Sequence, residues 1–292
     1  MTSATKNGAT AVERAPGKRI DRTKKENSLL QFFPQTLIQV QRLLLRWLRD
    51  PLTVIQSLVF PALLLIILNM VLGNQIQTFA NLFKLCEGKT EHCALYGTVP
   101  MTALAGIMAG STAGAITLGR EGAAGLLARF WVLPVHRASG LVSRILAELV
   151  RITIGTIVIV IVGYVLGFRF EQGLPAALLF IGVTLIFGLG FATLVTSIAV
   201  FSAKATLVEG VSLLSSLLMF FSTGFVLLPA FPEWIKPLVQ HQPLTCAIDT
   251  MRALSLGGPL QGPLIGTLLW SLGAVVVFGI PAVIGFSRAS RR

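Results

Sequence analysis

Apolar positions in this chain fall in long unbroken runs, not in the alternation of a half-buried strand. Uncharged stretches occur at 52–72, 96–118, 152–168, 174–203, 210–229 and 264–286. Each approaches or exceeds the roughly 20 residues a helix needs to cross a hydrocarbon core of about 30 Å. They predict an all-α polytopic membrane protein with six transmembrane helices, at about 52–72, 96–118, 152–168, 176–202, 210–229 and 264–286, in one domain over 51–292. The first run is expected to stop at Gly73-Asn74. The second is rich in Gly, Ala, Ser and Thr, which suits close packing against neighbouring helices.

Residues 35–50, QTLIQVQRLLLRWLRD, follow a different pattern. Gln35, Gln39, Arg42, Arg46 and Arg49 recur at spacings of four and three, with Leu37, Val40, Leu44 and Trp47 on the opposite side. The spacing predicts an amphipathic helix with a basic face, stopped by Asp50-Pro51. Too polar to span, it is expected to lie in the membrane interface and not to extend the first span. Residues 1–34 are expected to form a disordered basic arm, without the apolar region of a signal peptide.

Composition strengthens the membrane reading. The chain is 54% hydrophobic and only 12% charged, about half the charged fraction of a soluble domain, with a mean hydropathy of +0.78. Its net charge is +12, and that charge is distributed asymmetrically. With the N-terminus inside, nineteen of the 24 Lys and Arg fall in cytoplasmic segments and five outside. By the positive-inside rule both termini are cytoplasmic, in a plasma membrane. The basic balance is then an orientation signal, and no nucleic-acid partner is expected.

Catalytic constellations are missing. The sequence has no HExxH, no GxSxG and no P-loop, so neither an enzyme nor a cofactor site is expected in this chain. Of twelve acids, only Glu148 and Glu209 approach a span, both at cytoplasmic ends. Glu148, with Arg144 four residues before and Arg151 three after, reads as a member of a surface salt-bridge ladder. With no carboxylate at mid-membrane, ion-coupled transport is disfavoured. Cys86 and Cys93 share the first external segment, where an oxidising exterior favours a disulfide. Free thiols, or a metal held with the adjacent His92, are the alternatives.

Two connecting segments carry more specific information. Residues 119–144 read GREGAAGLLARFWVLPVHRASGLVSR. Arg120, Glu121, Gly122, Leu126, Leu127, Arg129 and Phe130, followed by Leu133-Pro134 and Arg137, resemble the cytoplasmic coupling segment of type-2 ABC exporter permeases. Residues 230–258 contain Trp234, then Gln242, Pro243, Leu244 and Thr245, then Asp249 and Arg252. They resemble the external re-entrant helical hairpin of the same family, with Gln242 where the usual wording has Asn and Met251 where it has Leu. These departures, and the WVLPVHRASGL wording, resemble the daunorubicin-resistance branch, specifically the second permease of its drug and polyketide-lipid exporters. Asp249 and Arg252, at i and i+3, can neutralise each other and let a helix dip into the outer leaflet.

The resemblance implies a permease subunit moving an amphiphilic drug or lipid outward. It also implies two partner ATPase subunits carrying ATP and Mg, and a second permease, a paralogue in preference to a second copy. The coupling helix would dock into a groove of the ATPase. A substrate path would follow a dimer seam, with Ser111, Thr112, Ser212, Ser215, Ser216 and Thr223 as its few polar contacts; helix–helix hydrogen bonding is the competing role for these residues. The alternative from another class is a non-transporting scaffold that anchors a biosynthetic complex.

Overall fold

The computed structural model describes residues 29–82, 92–123, 139–201, 205–226 and 228–289, and among them every regular element is helical. Helix α1 (Leu29–Arg49) ends at Asp50, whose extended backbone starts α2 (Pro51–Val54). The Asp50 carboxylate accepts hydrogen bonds from the Thr53 hydroxyl at 2.7 Å and its amide at 3.5 Å. Pro51 occupies the first helical position, where its missing N–H costs nothing. The predicted break is therefore present, although α1 begins earlier than residue 35 and carries Pro34 within it.

A π-helical turn (Ile55–Val59) joins α2 to α3 (Phe60–Leu82) in one continuous rod. Pro61 cannot donate to the carbonyl of Ser57, and the widened turn relieves the clash its ring would make there. The rod then runs straight through Gly73-Asn74, so the expected stop is not there. A single helical glycine costs only about 1 kcal/mol, too little to end a long apolar helix.

The remaining elements are α4 (Leu95–Ala123), α5 (Ser139–Leu166), α6 (Gly173–Phe201), α7 (Ala205–Phe220), a 3-10 turn (Leu228–Ala230), α8 (Lys236–His241), α9 (Pro243–Leu256) and α10 (Gln261–Ala289). Among the described residues, five stretches are long and apolar enough to cross a membrane: Pro51–Thr78, Leu95–Glu121, Val142–Leu166, Gly173–Phe201 and Gln261–Ile284. The third begins ten residues before the expected 152, which brings Glu148 and Arg151 inside it. Helix α7 is shorter and ends at Phe220, not at residue 229.

Helix α4 is the axis of the bundle. Of its apolar window 72% is buried inside the protein, against 17–39% for the other four, and it packs on α3, α5, α6, α7 and α9. Its small residues permit this, and the close packing expected of them is present, although the central position was not predicted. The closest pairing, α6 on α10, rests on Gly190, where a Cβ would stand 2.9 Å from the backbone oxygen of Ser271. At the far end from α1, α5 closes on Gly167 at φ +110, with the Phe168 amide bonding back to the Gly163 carbonyl at 2.8 Å. This is the left-handed glycine cap of a helix C-terminus.

Candidate functional site

Helix α1 has three faces. Thr36, Val40 and Trp47 are buried in the packing of α1 on α5. Phe33, Leu37, Ile38, Leu45 and Leu48 form an exposed apolar face. Gln35, Gln39, Arg42, Arg46 and Arg49 occupy the third. Leu37 thus belongs to the exposed apolar face and not with Val40 and Trp47, because 3.6 residues per turn separates them on a helix with two apolar sides.

Arg46 reaches across to the end of α4 and pairs with Glu121, which also pairs with Arg144 of α5. Glu121 is 5% exposed, Arg144 21% and Arg46 55%. One carboxylate therefore ties three helices together where the segment after α4 begins. Of the two partners expected for Glu148 in a surface ladder, Arg151 is present while Arg144 goes to Glu121, and Glu148 also accepts a hydrogen bond from Ser111 of α4. Both members of this pair are nearly buried, at 15% and 16% exposure. They lie six and nine residues into the apolar stretch Val142–Leu166, about 9 and 13 Å along its axis. The Arg151 side chain fits because α4 presents Gly114, where a Cβ would stand 3.0 Å from its Nη2; Nη2 also donates to the Gly110 carbonyl at 3.4 Å.

Between these two clusters lies a cavity of about 330 Å³. Arg46, Trp47 and Asp50 of the α1 end form one wall, and Ser111, Glu121, Arg144, Glu148 and Arg151 form its polar side. The floor comes from α6 and α10 and is mostly apolar, through Leu189, Ala192, Val275 and Val283, with Thr193 and Thr196 beside them. Hydrogen bonding to Thr53 holds the Asp50 carboxyl below its usual range, so it is ionised at the rim. The site can hold a charged group at one end and an apolar body at the other.

A second polar cluster lies where α7 stops. The Thr223 hydroxyl donates to Asp249 at 2.7 Å, and Arg252 pairs with Asp249 at 3.0 Å while donating to the Thr223 carbonyl. Gln242, extended between α8 and α9, donates to the Phe221 carbonyl at 2.7 Å. The backbone carbonyls of Phe221 and Thr223, just past the end of α7, are taken by these partners. Pro243 starts α9, a helix buried along most of its length, while Trp234 is 80% exposed.

The structure treats the sequence-predicted residues unequally. Arg120 is exposed at the end of α4 and Gly122 follows Glu121 on that helix. Leu126, Leu127, Arg129 and Phe130 lie outside the described residues, as does Cys86. The seam residues are not brought together within one chain. Ser111 is bonded to Glu148, Thr223 to Asp249, and Ser216 to the Ser212 carbonyl of its own helix. Thr112 is buried with no hydrogen-bond partner for its hydroxyl, and Ser215 is half-buried on α7. Of the two partners the sequence offered Glu148, the structure keeps Arg151; the pairing of Arg46 and Arg144 with Glu121 escaped the sequence reading, since no local spacing links them.

Residues 34–256, from α1 to the end of α9, match the family described as ABC-2 type transporter. The chain is 48% identical over 265 residues, 91% of its own length and 92% of the relative's, to a protein named probable doxorubicin resistance ABC transporter permease protein DrrC, from two strains of Mycobacterium tuberculosis. It is 26% identical over 155 residues, 53% of this chain and 55% of the relative, to the daunorubicin resistance ABC transporter permease protein DrrB1 of Streptomyces coeruleorubidus.

Proposed function

The chain belongs to the ABC-2 type transporter family and is a membrane permease subunit of an ATP-binding-cassette exporter; from that premise we propose that it carries an amphiphilic drug or lipid outward across the plasma membrane. ATP is bound with Mg and hydrolysed by two separate ATPase subunits. A second permease, a paralogue in preference to a second copy, completes the path. Six spans, with α7 as the fifth, leave both termini in the cytoplasm and put α1 in the cytoplasmic interface. The segment from Arg120 and Glu121 through Gly122, Leu126, Leu127 and Arg129 to Phe130 docks on the ATPase. Ser111, Thr112, Ser212, Ser215, Ser216 and Thr223 line the seam between permeases. Trp234, Pro243, Asp249 and Arg252 belong to an external re-entrant hairpin, and Cys86 bonds to Cys93.

The observation that carries this reading is the near full-length similarity to a relative named for doxorubicin resistance. The anchored Glu121 supports it, because force applied just beyond α4 reaches α1 and α5 through one buried carboxylate. Co-reconstitution with an ABC ATPase and a second permease tests it. ATP-dependent efflux of an anthracycline or a fluorescent lipid is expected, and Leu127→Asp should release the ATPase on purification. Undiminished efflux and retained ATPase in that variant, at matched protein levels, would refute the coupling assignment.

A further inference from the structure

The cavity between α1 and α10 is walled by α1, α4, α5, α6 and α10 of one chain, and of the six seam residues it takes only Ser111, which is bonded to Glu148. We propose that it binds an anionic phospholipid of the cytoplasmic leaflet, with the phosphate on Arg46 and Arg144 and an acyl chain along the apolar floor. The inference rests on the interfacial placement of α1 given above.

Charge favours an anion at the head of the site. A guanidinium has five N–H donors, and Arg46 and Arg144 share a single carboxylate, that of Glu121. The three groups together carry one net positive charge and keep donors to spare. Of the other acids, Glu148 is balanced by Arg151 and also accepts from Ser111, while Asp50, outside the span and held by the Thr53 hydroxyl and amide, keeps its charge but is exposed at the rim, where solvent screens it. Planar guanidinium groups are the side chains best suited to bidentate phosphate recognition. Arg46 is more than half exposed, so its free edge is accessible without breaking the Glu121 pair.

Geometry favours a lipid over a free ion. About 330 Å³ is the scale of a small-ligand pocket, far more than phosphate needs. Leu189, Ala192, Val275 and Val283 line the apolar side, where a free anion gains nothing and an acyl chain packs as it would against its lipid neighbours. The rims are α1, packed on α5, and α10, packed on α6. The exposed apolar face of α1, through Phe33, Leu37, Leu45 and Leu48, sets the Arg46 rim at head-group depth.

Trp47 lines the cavity and reports on its contents. In a Trp131→Phe, Trp234→Phe, Trp270→Phe background, the permease is placed in phosphatidylcholine vesicles containing brominated phosphatidylglycerol or, as control, brominated phosphatidylcholine. Several-fold stronger quenching of Trp47 by the anionic lipid at equal mole fraction is expected. Arg46→Gln should abolish that preference. Gly279→Leu is the second variant, because it touches no ion pair and its Cβ has room, with the nearest foreign atom 3.9 Å away. By filling the cavity it should lower quenching to the control level. Equal quenching by the two lipids in the parent protein, or a preference surviving both variants, would overturn the proposal. So would full reversal by excess inorganic phosphate, which would reveal a site for the anion alone. The measurement needs neither ATPase nor transported substrate, so failed binding leaves the exporter reading intact, and failed export leaves the quenching preference intact.

Discussion

Removing the Glu121 carboxylate is the sharpest perturbation the structure offers. In Glu121→Ala, Arg144 loses a charge-assisted hydrogen bond in surroundings that leave it 21% exposed, worth about 1.5–3 kcal/mol. Arg46, 55% exposed, recovers most of its loss from water, so its arm contributes under about 1 kcal/mol. The sum, about 2–4 kcal/mol, should appear as an earlier midpoint of SDS unfolding in mixed micelles. Arg144→Gln should reproduce most of the shift, Arg46→Gln little of it, and the Glu121–Arg144 double-mutant cycle should show clear coupling. Efflux is the second readout. If Glu121 works by tying α1 and α5 to the start of the coupling segment, Arg144→Gln should weaken ATP-dependent efflux as Glu121→Ala does. If Glu121 served only as a contact to the ATPase, the arginine variants would export normally. Unchanged unfolding and normal efflux in Glu121→Ala at matched protein levels would refute the anchoring role.

Topology is testable by thiol labelling in intact cells: Lys204→Cys should react only with membrane-permeant reagents and Lys89→Cys with impermeant ones as well. External labelling of the Lys204 position would remove the six-span arrangement. A bond between Cys86 and Cys93 should stabilise the first external segment by about 2–3 kcal/mol in the chain-entropy model, so Cys86→Ser should loosen that segment and leave ATPase coupling intact. Mass spectrometry of the non-reduced protein that found both thiols free would contradict the pairing.

What could be read from the sequence was whatever a short stretch decides by itself. Asp50-Pro51 ends one helix and starts another because capping and proline geometry act within four residues. The small residues of α4 announced close helix packing because close approach needs only the absence of side chains. The start of α5 was not legible. A rule that ends a span at a charge stops at Arg151, whereas the helix carries Glu148 and Arg151 inward because they neutralise each other and Gly114 makes room. The partners of Glu121 lay 75 and 23 residues away, and no local spacing connects Arg46 with it. The end of α7 was hidden for the same reason, since the side chains that bond the Phe221 and Thr223 carbonyls just beyond it belong to α9 and its approach.

The ion pair inside α5 bears on how the exporter is energised. An acid embedded in a span is the usual mark of a carrier that binds and releases protons or sodium ions, and Glu148 occupies such a position. Its surroundings are built for the opposite purpose. Arg151 is fixed three residues on, Ser111 fills a further lone pair, and Gly110 and Gly114 shape α4 around the guanidinium. Neutralising Glu148 would leave Arg151 without its balancing charge in a nearly buried site, a penalty of about 3–5 kcal/mol for a broken buried pair. A proton cycling through this carboxylate would meet that penalty at every turnover. The pair therefore works as a fixed rivet between α4 and α5, two helices that meet again at Glu121. With α4 held to α5 at both levels, a push delivered at the end of α4 moves the two helices together. That is the mechanical behaviour required of a permease whose energy arrives from a separate ATPase.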